Sequence, residues 1–128
     1  MKYTYTAVLT PEDGTYYCRV PDLPGCVTTS TTLSDAIDLI TDAASIWLVG
    51  AEDDNEPIPE PTPQDQLEHA PGSVLTLIRV DSLKYRASID DRAVRKNVSL
   101  PAWMAHLADA KGLNCSQILQ EGLLAKFG

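Results

Sequence analysis

At 128 residues the chain is long enough for one ordinary domain, or for a small domain plus an appendage that borrows its core from a partner. Its apolar fraction of 44% contains no run approaching the ~18 residues that a membrane span requires. The three cysteines, Cys18, Cys26 and Cys115, show neither a C-x-x-C pairing nor a histidine at ligand spacing, which argues against a disulfide framework and a zinc site.

The net charge of −8 divides unevenly. Residues 1–90 carry five basic and fifteen acidic side chains, a balance of −10, whereas residues 91–128 carry five basic and three acidic ones, a balance of +2. An acidic front repels nucleic acid, attracts a basic protein and helps solubility. With no signal-peptide pattern at Met1, a soluble cytoplasmic protein is expected.

In chain order, Tyr3–Leu9, Thr15–Val20 and Cys26–Thr31 read as strands of an antiparallel meander. Glu12-Asp13-Gly14 is the first turn signal, and Pro21-Asp22-Leu23-Pro24-Gly25 the second. The period then changes to helical, with Leu33, Ala36, Ile37, Ile40, Ala43, Ala44, Trp47 and Leu48 on one face. Thr32 and Asp35 resemble a weakened capping box, and Gly50 offers a stop. Asp35, Asp38 and Asp42 fall on the wet side of that helix, as a solvated face or as contacts for a basic partner.

Residues 52–71 are acidic and proline-rich and should be extended, because successive prolines lack amide donors. Val74 to Val80 is a β-branched run suited to a more buried strand of the same sheet, and residues 82–91 read as a linker. His69 lies in the proline-rich stretch and His106 in a helix further on, neither with a catalytic companion.

The segment Arg95-Lys96-Asn97-Val98-Ser99-Leu100-Pro101 predicts a short strand that cannot be stable alone. Two apolar-periodic stretches follow it. Pro101 suits a helix start, Trp103, Met104, Leu107 and Ala108 mark one apolar face, and Gly112 suits its end. Asn114 is an N-cap candidate for a second helix carrying Ile118, Leu119, Gly122, Leu123 and Phe127.

Strand followed by two helices is the order of a ribbon-helix-helix unit, in which two copies pair their strands antiparallel about a two-fold axis. Alternation would set Val98 and Leu100 inward and Arg95, Asn97 and Ser99 outward. A ribbon of that kind fits the DNA major groove, where arginine suits guanine and asparagine suits adenine. Lys96, with the helix start at Asn114, Cys115 and Ser116, is the candidate phosphate contact. An exposed edge hairpin with no ligand is the plain alternative.

The chain also resembles the HicB antitoxins of bacterial toxin-antitoxin pairs. The resemblance rests on Tyr17, on Val20-Pro21-Asp22-Leu23-Pro24-Gly25-Cys26-Val27-Thr28, on Asp35-Ala36-Ile37 and Trp47-Leu48, on Ile58-Pro59-Glu60-Pro61, and on Val80-Asp81 with Tyr85 leading into Asn97-Val98-Ser99-Leu100-Pro101. It implies an α+β protein: a partial RNase H-like domain over residues 1–81, a linker over 82–91, and a ribbon-helix-helix unit over 92–128. The implied front domain masks a small basic ribonuclease toxin, HicA, and the implied back unit represses the operon as a dimer or tetramer.

Matched onto this sequence, base reading falls to Arg95, Asn97 and Ser99. Toxin contact is assigned to the surface around Asp22, Asp35, Asp38 and Asp42. The chain departs from the family at Thr29-Ser30-Thr31, where a glycine is common, and at Cys115, where an arginine is common. Neither a cofactor nor a metal is implied, and no catalytic residue is nominated.

Two other functions compete with the antitoxin reading. A small nuclease would need carboxylates converging on magnesium ions, but the acids are scattered over turns, a helix face and the proline-rich segment. A stand-alone ribbon-helix-helix regulator would bind its promoter regardless of any partner protein.

Overall fold

The structure, a computed structural model, describes all 128 residues. It divides into two compact units, Lys2–Asp91 and Arg92–Gly128.

The front unit is built on a four-stranded antiparallel sheet of order β3-β2-β1-β4, with β1 at Lys2–Glu12, β2 at Thr15–Arg19, β3 at Val27–Ser30 and β4 at Val74–Asp81. β1 and β2 meet through the two-residue turn Asp13-Gly14, where both residues have positive φ (51° and 76°). That turn twists in the same sense as the strands it joins, which is why Asp-Gly closes hairpins of this length.

Register assigns the two faces. Leu9 lies opposite Cys18, Tyr5 opposite Ile78 and Tyr3 opposite Val80, so these side chains share the inner face. Helix α1, Leu33–Asp53, covers that face with Ala36, Ile40, Ala44 and Leu48, all fully buried. Its alanines let the helix axis approach the sheet closely, while Ile40 and Leu48 fill the space against Tyr5, Leu9 and Val80. Thr32 caps α1 by accepting from the Asp35 amide at 3.2 Å.

Gly50 does not end this helix. Ala51 is still buried, so α1 runs on to Asp53, and Asn55 adopts the left-handed conformation (φ 53°). The Asn55 amide donates to the Glu52 carbonyl and the Glu56 amide to the Ala51 carbonyl, the paired bonds of a Schellman stop with asparagine in place of glycine.

The proline-rich segment is extended from Glu56 to Pro63 and then makes a single 3-10 turn at Gln64–Gln66. Its extended part is strapped to the fold. The Tyr5 hydroxyl donates to the Pro59 carbonyl, Ile58 packs against the core, and Asp22 accepts from both the amide (2.9 Å) and the hydroxyl of Thr62.

Two expectations change here. β4 is an edge strand paired only with β1, and of its residues only Ile78 and Val80 are buried, so its β-branched run alternates instead of lying wholly inside. Residues 82–89, expected as part of a linker, form helix α2, Ser82–Ile89. The reason is a polar tie to α1. The Glu52 carboxylate accepts from Tyr3 Oη (2.6 Å), Ser82 Oγ (2.9 Å) and the Arg86 guanidinium (3.2 Å), and Arg86 also pairs with Asp53 at 2.8 Å. Asp81 caps the new helix through the Lys84 amide.

The back unit contains helices α3, Ala102–Ala110, and α4, Cys115–Phe127, preceded by residues 90–101 without regular structure. No helix of the chain is long and apolar enough to cross a membrane.

Candidate functional site

The back unit holds the nucleic-acid candidates. Strand pairing needs a hydrogen-bonded neighbour, and a single copy supplies none to Arg95–Pro101, so that segment carries no strand in the isolated chain. Pro101 occupies the N-cap position of α3, one residue before the expected first helical position, and its carbonyl accepts from the Met104 and Ala105 amides. Gly112, at φ 64°, ends the helix. Its amide donates to the Asp109 carbonyl and the Leu113 amide to the Ala108 carbonyl.

Asn114 caps α4 with its side chain, accepting from the Gln117 amide at 3.1 Å. This leaves the Cys115 and Ser116 amides at the open start of the helix. Cys115 itself is exposed.

A cavity of about 380 Å³ lies within this unit, lined by Val98, Leu100, Met104, Leu113, Ile118 and Leu119 together with Lys96, Cys115 and Ser116. Three of the four phosphate candidates therefore share one wall with the apolar residues. Arg95, Asn97 and Ser99, the base-reading candidates, are exposed and do not line it. Lys96 lines it beside Val98 and Leu100 while remaining exposed.

No residue of the back unit is buried. Every large apolar side chain from Val94 to Phe127 is exposed, including Val98 (57%), Trp103 (66%) and Phe127 (53%). Isolated surface apolar residues are ordinary, but a whole unit without an interior is not.

The toxin-contact candidates lie in the front unit. Asp35, Asp38 and Asp42 are exposed on the outer side of α1. Asp22 is only partly exposed, and both of its carboxylate oxygens are engaged by Thr62, so it ties the proline-rich strap to the loop before β3. Leu39 and Ile46, 45% and 57% exposed, continue the acidic stripe of α1. Neither was expected from the sequence on the apolar face or at the site, although at 100° per residue both fall within about 40° of Asp35 on the helix surface. On the outer face of the sheet, Tyr17, Val27 and Leu77 are also exposed.

The buried thiols Cys18 and Cys26 are pushed above the ordinary cysteine range by burial, which makes them unreactive. At the polar tie, burial acts to raise the Glu52 carboxyl, but hydrogen bonds from Tyr3, Ser82 and Arg86 and the Arg86 charge outweigh it and hold the group below the usual value. Tyr3 moves the opposite way, raised by burial and then by Glu52. No group of three or more His, Cys, Asp or Glu side chains is placed to hold a metal ion.

The chain thus joins a self-contained α+β front unit to a helical back unit whose apolar side chains are uncovered. Residues 5–127 match the family described as "HicB_like antitoxin of bacterial toxin-antitoxin system", and the chain belongs to that family. A protein of Haemophilus phage HP1, described as an uncharacterized 14.9 kDa protein in the rep-hol intergenic region, is 30% identical over 97 residues, 73% of this chain and 70% of that protein. In fold, the chain is similar to one in a toxin-antitoxin complex from Streptococcus pneumoniae (TM-score 0.62, 22% identity, 98% of this chain and 99% of that chain). It is also similar to the antitoxin HicB of Burkholderia pseudomallei (TM-score 0.55, 23% identity, 98% and 99% covered).

Proposed function

We propose that this chain is a non-enzymatic cytoplasmic antitoxin that masks a small basic HicA-like ribonuclease and represses its own operon as a dimer. The observation that carries the dimer is the uncovered apolar surface of residues 92–128. Moving a half-exposed Leu, Met or Phe into an interface yields about 1 kcal/mol each. Pairing two copies through residues 95–100 would bury Val98 and Leu100 against α3 and α4 of both chains and give the segment's backbone groups partners. The unit then reads as a ribbon-helix-helix, with Arg95, Asn97 and Ser99 turned to base edges and Lys96, Asn114, Cys115 and Ser116 placed toward phosphates. The capped start of α4 supports the last assignment.

In the front unit, the meander with α1 across one face supports a partial RNase H-like domain, with β4 returning antiparallel to β1. The exposed stripe of α1 is the surface we assign to the toxin: Leu39 and Ile46 supply apolar area, while Asp35, Asp38 and Asp42 supply charge for a basic partner. Occlusion needs no catalytic group. Asp22 serves this surface indirectly, by holding the strap in place.

The test is co-expression with the neighbouring open reading frame, followed by co-purification and mass measurement of the complex. An antitoxin dimer carrying a small basic protein supports the proposal. Failure to capture any such protein refutes the antitoxin half, and a monomer at high concentration refutes the ribbon half.

A further inference from the structure

The front unit has only five basic side chains against sixteen acidic ones. Three of the five, Lys2, Arg79 and Lys84, line a single open cavity of about 520 Å³, together with Asp81, Tyr85 and Ser88. Lys2 lies opposite Asp81, and Arg79 opposite Thr4, at the start of β1 and the end of β4, while Lys84 comes from the first turn of α2. The strands and the helix thus bring together cations that are far apart in sequence.

These charges are not neutralised within the chain. Arg86 pairs with Glu52 and Asp53, whereas no carboxylate lies within 4.0 Å of Lys2, Arg79 or Lys84. Asp81, the one acid of the cavity, has Oδ1 turned to the Lys84 amide as the cap of α2. Gathering like charges is unfavourable unless a shared anion sits among them, and here this happens in a unit rich in acids that lie elsewhere. Arginine offers a planar fork of donors suited to a tetrahedral oxyanion, and the two lysines add point charges beside the Tyr85 ring.

We propose that this cavity binds a phosphate group, presented either by a nucleic-acid backbone or as a free phosphate ion. The backbone source rests on the DNA-binding reading above; the free ion does not. Arg79 and Lys84 are exposed and make no side-chain ion pair, so the double variant Arg79→Gln, Lys84→Gln keeps the fold, which its thermal unfolding verifies.

The experiment uses the full chain and has two readouts. In the first, binding to a duplex from the chain's own upstream region is measured against salt. Losing two backbone contacts flattens the slope of log K against log salt by about 1.8, at roughly 0.9 per contact. In the second, inorganic phosphate is titrated at matched ionic strength against chloride while the amide resonances of residues 79–88 are followed.

A flatter slope in the variant identifies the backbone as the source. An unchanged slope, with phosphate-specific shifts present in the parent and absent in the variant, identifies the free ion. If neither differs, the proposal is overturned. If the parent binds no DNA at all, the functional reading fails, and the phosphate titration alone decides the cavity.

Discussion

Glu52→Ala should detach α2 from the front unit. Its carboxylate accepts from Tyr3 at 2.6 Å and from Ser82 at 2.9 Å, and the side chain is only 15% exposed. Ser82 is fully buried, so the bond it donates to Glu52 is shielded from water. Each hydroxyl deprived of that acceptor costs about 1–2 kcal/mol. Arg86 matters less, because it is 37% exposed and keeps Asp53 at 2.8 Å; a pair of that kind contributes about 0–1 kcal/mol. The total is about 3 kcal/mol, a fall in melting temperature on the order of 12–24 °C for a unit of this size. Asp53→Ala should cost under about 1 kcal/mol, since it removes only the exposed partner. Thermal unfolding measures both, and amide exchange over residues 82–89 shows whether the loss is local to α2. Equal, small shifts in the two variants would refute the buried tie and return residues 82–91 to the role of a linker. The same tie predicts pH dependence. A carboxyl held below its ordinary value of about 4.3 contributes stability above that pH and loses it as pH falls through the folded value. The raised Tyr3 contributes stability below pH of about 10 that is lost as pH rises beyond it.

Asn97→Ala should relax base preference at one position of each half-site, by about 1–3 kcal/mol for a bidentate contact, read by binding to a panel of single-base operator variants. Lys96→Ala should weaken binding to all sequences and flatten its salt dependence, and parental binding by both variants would remove the ribbon as reader. The double change Asp38→Lys, Asp42→Lys should slow toxin association about tenfold or more at low salt, measured by stopped flow, with little change in melting temperature because both sites are exposed. Deleting residues 92–128 should abolish operator binding and leave toxin capture intact, as measured by pull-down. Operator binding by the full chain should also fall with the second power of chain concentration once dimers dissociate, and first-order behaviour in a titration would contradict obligate pairing.

The elements easiest to find from sequence were those fixed by local chemistry. Asp13-Gly14 specifies its turn, Thr32 and Asn114 their caps, and Gly112 its stop, because each depends on a backbone conformation that few residues adopt. What could not be read depended on distant partners. Asn55 replaced Gly50 as the end of α1 because Ala51 is buried against the rest of the unit, a fact of packing and not of local propensity. Helix α2 has little apolar periodicity; it is held by Glu52 and Asp53, some 30 residues earlier. Of the site candidates, the spacing located the capped start of α4, but it could not reveal that Cys115 and Ser116 line one cavity with Val98 and Leu100, or that the Asp22 oxygens are engaged by Thr62.

The two units meet the requirement for an interior in different ways, and this bears on regulation. The front unit buries Tyr5, Leu9, Ile40 and Leu48 within one copy, so its folding does not depend on how much of the chain is present. The back unit buries nothing by itself, and the pairing proposed above would link its order by mass action to the concentration of a second copy. On the proposed reading, scarcity therefore disables repression before it disables toxin capture. Transcription of the operon would resume while the remaining antitoxin still masks its partner, and that order of failure follows from where apolar side chains are placed along the chain.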